Sequence, residues 1–221
     1  FCSLTIARSL SFEDALRIVD ARGKAMQHAA ELKPGGMTAV LGCDVTQIRE
    51  AANEISGAHV GNVQLANFNS PGQIVISGDT AAVDAAAALL LDRGAKRIVP
   101  LNVSGAWHSR LMEPAVALFA SAVEAGHFDL PQFDVISNVD AQPYRDVQTV
   151  RANLVRSITQ EVRWHETAEQ LLTYELDAVV EFGATPVLGP LMNRLPGAPT
   201  VLNVTDFAGV EKLRGRFGVE A

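Results

Sequence analysis

The segment from residue 36 to residue 101 restricts the possible folds most strongly, because short strand and helix patterns alternate along it in the order βαββαβ. The predicted strands cover about 37–41, 60–66, 73–77 and 96–101, and the predicted helices about 45–55 and 80–93. Four strands and two helices in this order are typical of a ferredoxin-like sandwich. The Lys-Pro-Gly-Gly run at 33–36 ends the preceding helix. We therefore expect a small inserted subdomain over residues 36–101.

The residues on both sides of this segment, 1–35 and 102–221, are predicted to form one larger subdomain. Ser11 followed by Glu13 and Asp14 is typical of a helix start, and apolar residues recur at helical spacing to about residue 32. Later helices are predicted near 110–125, 149–159 and 164–172, strands near 134–137 and 176–181, and a helix start at 185–186. This alternation favours a largely parallel sheet, and it assigns the chain to the α/β class.

The composition argues against several classes of partner. Hydrophobic residues make up 48% of the chain and charged residues 19%, as in ordinary globular proteins. The net charge of −7 argues against nucleic acid as a partner. No apolar run approaches the roughly 20 residues that cross a bilayer, so no membrane partner is expected. Cys2 and Cys43 have neither metal-binding spacing nor the pattern of a disulfide framework, which predicts no metal site and a reducing, cytoplasmic location.

His108 is the first candidate for a chemical role. The run from Val103 to Pro114 places it between a predicted strand end and a predicted helix start, where a ring nitrogen can accept a proton near neutral pH. Capping or packing is the alternative role for such a histidine. In open α/β sheets, ligands bind beyond the carboxyl ends of the strands, and the segments 103–108, 136–139 and 181–184 are predicted to meet there. A cleft between this edge and the small subdomain is the expected site.

Five motifs follow one another in a family-specific order. They are Arg22 to Gln27, Ala66 to Gly78, the His108 segment, Val162 to Trp164, and Glu181 to Gly183. Their order and approximate spacing resemble those of the malonyl-CoA:acyl carrier protein transacylases over nearly the whole chain. The resemblance implies an α/β-hydrolase-like large subdomain with the small subdomain inserted in it. It also implies a two-step transfer of malonyl from malonyl-CoA, through a serine ester, to the phosphopantetheine thiol of an acyl carrier protein, with no cofactor.

The resemblance gives roles to three residues of the reaction centre. His108 matches the family histidine that deprotonates first the serine and then the incoming thiol. Arg22 matches the arginine that holds the free carboxylate of malonate through two parallel hydrogen bonds, although an ion pair with Asp20 or Glu31 is the alternative for a helical arginine. Ser157 matches the position whose main-chain carbonyl orients the histidine. Its alternative is an ordinary exposed serine on a helix.

Four more residues are expected at the substrate. Trp107 precedes the histidine, where a bulky ring would narrow the pocket and favour malonyl over methylmalonyl, unless the ring only packs in the core. Met26 lies one turn after Arg22 and is predicted either to line the acyl pocket or to fill the core. Asn67 and Asn69 are predicted to hydrogen-bond the pantetheine arm, and turn formation is their alternative.

The nucleophilic serine is expected outside this sequence. In the family it lies in a Gly-His-Ser-Leu-Gly-Glu turn, and an alignment without gaps places Phe1 directly after the final Glu. The serines of this chain either lack flanking glycines or flank His108, so we expect the chain alone to be inactive. Two alternatives stay open, an acyl hydrolase of the same fold and a non-catalytic docking module of a synthase. Arg22 argues against the hydrolase. The motifs do not separate a fatty-acid enzyme from a polyketide enzyme.

Overall fold

The computed structural model describes residues 1–218, which divide into two compact units, the first covering Phe1–Thr167 and the second beginning at Ala168. The first unit contains a four-stranded sheet with a layer of helices, and the second is built on two paired strands. The predicted division into subdomains at residues 36–101 and at 1–35 with 102–221 stays a prediction. The last three residues of the predicted larger subdomain, 219–221, lie outside the described part of the chain.

The chain begins with two helices, α1 (Cys2–Ile6) and α2 (Phe12–Leu32). Helix α2 starts where the sequence predicts, because the Ser11 hydroxyl accepts a hydrogen bond of 3.0 Å from the Asp14 amide. Small and apolar residues recur on one face of α2, and that face is buried; it comprises Ala15, Ile18, Ala25, Met26, Ala29 and Ala30. A face of this kind can only be stabilised by other elements packed against it.

The predicted βαββαβ segment forms an antiparallel sheet covered by two helices. Its strands are β1 (Gly36–Leu41), β2 (Val63–Ser70), β3 (Gln73–Gly78) and β4 (Arg97–Pro100), in the spatial order β2-β3-β1-β4. Helices α3 (Val45–Gly57) and α4 (Thr80–Asp92) contribute Ile48, Val83 and Leu90 to a core shared with Val40, Ile74 and Ile76 of the sheet. The ferredoxin-like arrangement is therefore present. Six alanines along α4 allow the helix to approach its neighbours closely.

The opposite face of this sheet is buried as well. Met37, Ala39 and Val75 lie on that face and pack with the ring of Trp107. Trp107 also contacts the core formed by the helical layer, which includes α5 (Glu113–Ala125) and α6 (Val147–Arg156). A 3₁₀ turn at Arg110–Met112 leads into α5, and α5 packs along α2. The loop that carries His108 is thus held between the sheet and the helices.

The strand predicted near 134–137 is wrong. Residues 134–144 fold back on themselves and form only a single bridge, between Ile136 and Pro143. Pro143 has no amide hydrogen with which to extend a ladder. The apolar signal at Val135 reflects burial in the helical core, since this side chain is only 6% exposed.

The second unit contains β5 (Ala178–Phe182) and β6 (Thr200–Val204), which pair in parallel, with α8 (Leu188–Met192) and α9 (Phe207–Phe217). Strand β5 agrees with the predicted strand near 176–181, and β6 was not predicted. The helix start predicted at 185–186 is wrong, because α8 begins at Leu188. Its first amides are bound by a carboxylate from β5: Glu181 accepts hydrogen bonds of 2.8–2.9 Å from Val187, Leu188 and Gly189.

Helix α7 (Trp164–Leu172) contains the boundary between the two units. Among the described residues after position 101, the sheet is the pair β5 and β6, which is parallel as predicted and has two strands. Among the described helices, none combines the length and the apolar character needed to span a bilayer.

Candidate active site

His108 lies in a turn with unusual backbone geometry. Strand β4 ends at Pro100 and the 3₁₀ turn begins at Arg110, so the histidine lies between a strand end and a helix start, as predicted. Its φ angle is +59°, a left-handed conformation that costs a residue with a Cβ about 1 kcal/mol. Ser109 stabilises the exit from this turn, since its hydroxyl donates to the Ala106 carbonyl at 2.6 Å and accepts from the Leu111 amide. The ring of His108 is thereby fixed relative to the start of the next helix.

The imidazole of His108 has a defined proton arrangement. Its Nδ1 lies 2.8 Å from the main-chain carbonyl oxygen of Ser157. A carbonyl can only accept a hydrogen bond, so Nδ1 carries a proton, and in the neutral ring the lone pair is therefore on Nε2. Ser157 follows the last residue of α6, where carbonyl groups lack partners within the helix. Its own hydroxyl donates to the Leu154 carbonyl at 2.6 Å, so it is the main chain of Ser157 that contacts the histidine.

The protonation of His108 is tuned by its surroundings. Burial lowers the pKa of the imidazole below its ordinary value, and the nearby Arg22 guanidinium lowers it further, whereas hydrogen bonds to the Ser157 and Gln160 carbonyls raise it. Because burial is the largest of these effects, the neutral form persists to lower pH than in a free histidine. A neutral imidazole with an open Nε2 is the form that can act as a general base.

Arg22 and His108 line the same cavity, which has a volume of about 380 Å³. Arg22 reaches it from α2, His108 from its turn and Ser157 from the end of α6, and residues near Asn138 and Val162 complete the wall. Two of the three segments predicted to meet at the site, around His108 and around Asn138, do meet here. The third segment, 181–184, belongs to the second unit.

The Arg22 guanidinium has no carboxylate partner within residues 1–218. The two candidates proposed for an ion pair are engaged elsewhere: Asp20 pairs with Lys24 at 2.7 Å, and Glu31 accepts a hydrogen bond from Gln27. Burial lowers the pKa of Arg22 from its ordinary value, yet an arginine stays charged at neutral pH. A half-buried cation with no internal counter-charge is suited to hold an anionic group of a ligand.

A polar network supports the part of the cavity wall that includes Asn138 and Asn153. Asn153 on α6 donates to the Asp140 carboxylate at 2.8 Å and to the Ser137 hydroxyl at 3.1 Å. Burial raises the pKa of Asp140, but the hydrogen bonds from Asn153 and Ser137 outweigh it and leave the pKa below its ordinary value. The Arg163 amide donates to the Asn138 carbonyl at 2.8 Å. This network ties the folded-back segment to α6, and sequence reasoning missed it because its members are far apart along the chain.

The other predicted binding residues do not line this cavity. Met26 is 6% exposed and packs in the helical core, and Trp107 bridges two apolar clusters. Asn67 and Asn69 lie on β2, where Asn67 forms the bridge to Val162. None of the four belongs to the residues that line the cavity of Arg22 and His108. Their assignment to substrate binding stays a prediction.

Sequence reasoning also missed Gln64. Strand alternation places it between the buried residues Val63 and Leu65, which predicts a solvent-facing side chain. Its amide instead contacts the main chain of the His108 turn and of the segment after α6. No local signal marks a polar side chain whose partners come from distant parts of the chain.

Comparison with known proteins decides the family. The acyl transferase domain family matches residues 1–195, which is most of the chain. The chain belongs to the acyl transferase family. This acyl transferase chain is 38% identical over 208 residues to the malonyl CoA-acyl carrier protein transacylase of Haemophilus influenzae, covering 94% of the chain and 66% of that relative. The corresponding Bacillus subtilis protein is 34% identical over 212 residues, with 96% and 66% covered.

Solved structures agree with this assignment and confirm the α/β acyltransferase fold. A crystal structure of FabD from Acinetobacter baumannii superimposes with a TM-score of 0.89 at 35% identity, covering 99% of this chain and 69% of that one. A malonyl-transacylase solved in complex with a type II PKS acyl-carrier protein has a TM-score of 0.89 at 35% identity, with 96% and 68% covered. The acyl transferase chain thus spans about two thirds of the length of the relatives it matches.

Proposed function

We propose that the protein containing this chain transfers a malonyl group from malonyl-CoA to the thiol of an acyl carrier protein through a serine ester. The observation that carries the proposal is the shared cavity, which presents the unpaired Arg22 guanidinium together with the His108 imidazole. A cation and a base in one enclosed space suit an acyl group that bears a free carboxylate. The names of the relatives, malonyl CoA-acyl carrier protein transacylases, support the same substrates.

In the proposed first step, His108 Nε2 takes the proton of a serine hydroxyl as its oxygen attacks the malonyl thioester carbonyl. The tetrahedral intermediate then breaks its carbon–sulfur bond, and the coenzyme A sulfur leaves with the proton from the imidazolium. In the second step, the carrier thiol gives its proton to Nε2 and attacks the ester. The serine oxygen leaves and recovers that proton. Throughout both steps, Arg22 holds the malonyl carboxylate.

The serine is proposed to lie outside this sequence. Within the chain, the hydroxyls of Ser109 and Ser157 already donate to main-chain carbonyls. Ser3 borders the cavity but lies within the short helix α1 and not in a strained turn between a strand and a helix. This chain alone is therefore proposed to be inactive. Both of its cysteines are free, which supports the proposed cytoplasmic location.

The test uses the intact protein with malonyl-CoA and a carrier protein that bears phosphopantetheine. We expect malonyl-carrier protein to accumulate by mass spectrometry, and His108→Ala to slow its formation by about 100-fold or more. Gln148→Ala is the control, because this side chain is exposed on α6. Malonate released to water without carrier acylation would instead favour the hydrolase. Absence of any acylated protein would favour the non-catalytic docking module.

A further inference from the structure

The Gln64 side chain contacts three main-chain groups from two distant segments. Its Nε2 donates to the His108 carbonyl at 3.2 Å and to the Thr159 carbonyl at 3.1 Å. Its Oε1 accepts from the Arg110 amide at 3.1 Å. The side-chain amide thus uses three of its four hydrogen-bonding sites, and one lone pair of Oε1 is left. The contacts join residues 44 and 95 positions apart from Gln64 in the sequence.

The two segments joined by Gln64 carry the two halves of the proposed base. One segment is the His108 turn, and the other contains Ser157, whose carbonyl holds the imidazole Nδ1. The distance between these segments determines whether His108 Nδ1 can lie 2.8 Å from the Ser157 carbonyl oxygen. That contact in turn determines which ring nitrogen carries the proton. The Gln64 amide therefore lies where a single side chain can fix this distance.

The Gln64 amide also binds the main chain at and just after His108, the residue with the left-handed backbone. It accepts from Arg110 and donates to the carbonyl of His108 itself, whose φ is +59°. A left-handed conformation at a residue with a Cβ persists only where the surroundings determine it. These two hydrogen bonds are contacts that hold the turn in that conformation.

Strand β2 holds the segment after Ser157 by its main chain as well. The Phe68 amide donates to the Val162 carbonyl, and the Val162 amide donates to the Ala66 carbonyl, both at 2.8 Å. Gln64 is on the same strand, so the strand grips this segment at two points. The small sheet is in this way connected rigidly to the wall of the cavity that His108 and Arg22 line.

We propose that Gln64 is a positioning residue for malonyl transfer, which locks the His108 turn against the Ser157 carbonyl so that Nε2 faces the cavity as a base. This inference rests on the function proposed above. Gln64 touches neither substrate nor reacting atoms and acts through His108 alone. Its loss lowers the fraction of molecules that have the correct tautomer and ring orientation, and leaves Arg22 in place to bind the malonyl carboxylate.

The test compares Gln64→Met and Gln64→Glu in the intact protein, with Gln148→Met and Gln148→Glu as matched controls on an exposed face of α6. Gln64→Met removes all three hydrogen bonds at similar side-chain length. Gln64→Glu keeps the acceptor for the Arg110 amide and loses both donated bonds. Two quantities are measured, the steady-state kcat and KM for malonyl-CoA, and the nitrogen chemical shifts of the His108 ring, which report its tautomer.

We expect both Gln64 variants to lower kcat by about 10- to 100-fold with little change in KM, because small misplacement of a catalytic group costs this much. We also expect the His108 ring to lose its uniform Nδ1–H tautomer, while the controls keep it. A role limited to fold stability would lower the melting temperature without changing the tautomer or separating kcat from KM. If Gln64→Met fails to fold, the kinetic constants and the His108 nitrogen shifts are both measured on Gln64→Glu.

The two proposals fail separately. If the unmutated protein makes no malonyl-carrier protein, the proposed function is overturned. If the unmutated protein is active but both Gln64 variants keep its kcat and the His108 tautomer, positioning by Gln64 is overturned and the proposed function stands.

Discussion

The unpaired guanidinium of Arg22 leads to a prediction about substrate choice. Replacing Arg22 with glutamine removes the charge but keeps a polar side chain at the cavity. No carboxylate of residues 1–218 pairs with Arg22, so the whole donor set of the guanidinium is available to a ligand. A hydrogen bond to a charged group contributes about 1.5–3 kcal/mol, so loss of a two-bond contact with the malonyl carboxylate costs about 3 kcal/mol or more.

Since 1.4 kcal/mol is a factor of ten, we expect Arg22→Gln to lower kcat/KM for malonyl-CoA by about 100-fold or more. Acetyl-CoA has no such carboxylate, so its kcat/KM is expected to stay the same or to rise. Arg22→Lys keeps the charge and loses the two-bond geometry, which predicts an intermediate loss for malonyl-CoA. The assay measures initial rates of carrier acylation with each coenzyme A ester in the intact protein.

The same substitution separates binding from folding. Because the half-buried Arg22 has no ionic partner in the described part of the chain, its removal breaks no ion pair there, and we expect the melting temperature to stay the same or to rise. An equal loss of rate with malonyl-CoA and acetyl-CoA would refute the reasoning, since it would show that Arg22 acts on something common to both substrates.

Three further predictions concern the base, its partner and the second unit. Burial lowers the pKa of His108, and the reaction needs the neutral imidazole, so kcat/KM is expected to fall as the pH decreases only below about 6.5. Ser157→Ala is expected to change kcat/KM by no more than about twofold, because the main-chain carbonyl and not the hydroxyl binds the histidine. Glu181→Ala removes a carboxylate that binds three amides at the start of α8. We expect it to lower the local stability there by about 1 kcal/mol, which is measured as faster hydrogen exchange at Val187, Leu188 and Gly189. Burial raises the pKa of Glu181, but these hydrogen bonds have the larger effect and leave its pKa lowered in the folded protein. The stabilisation is therefore complete at pH values above the pKa of this carboxyl in the unfolded chain. It is lost as the pH falls through the lower pKa of the folded state.

Each of these has an outcome that contradicts it. An acid limb of kcat/KM centred above pH 6.5 would mean that burial does not dominate at His108. A large loss in Ser157→Ala with an unchanged fold would assign the contact to the hydroxyl. Unchanged exchange in Glu181→Ala, with Glu175→Ala as the control on the same unit, would mean that other groups bind the α8 amides.

Local sequence signals predicted the elements whose stability is local. The Ser11 cap marks the start of α2, and the alternation across 36–101 predicts the order of the small sheet and its two helices. The apolar run at 134–137 misled because burial and strand pairing leave the same pattern in a sequence. Strand β6 was not predicted although Val201, Leu202 and Val204 are apolar, since its partner β5 lies about twenty residues earlier along the chain.

The candidate site divides in the same way. His108 and Arg22 were predicted by a resemblance of motifs, and the carbonyl partner at Ser157 by position in that resemblance. Gln64, Asn153 and Asp140 were not predicted. Each makes its contacts with residues that the chain brings close only after folding.

The sequence by itself determined the chemical groups available, an imidazole, a guanidinium and an order of strands and helices, because side-chain chemistry and local periodicity are properties of neighbouring residues. Only the tertiary structure decided that Arg22 has no counter-ion among residues 1–218 and that His108 has a proton on Nδ1. It also decided that Gln64 joins the His108 turn to the segment that contains Ser157. These outcomes depend on distances between segments tens of residues apart, which hydrogen bonding and burial set during folding and which no local pattern records.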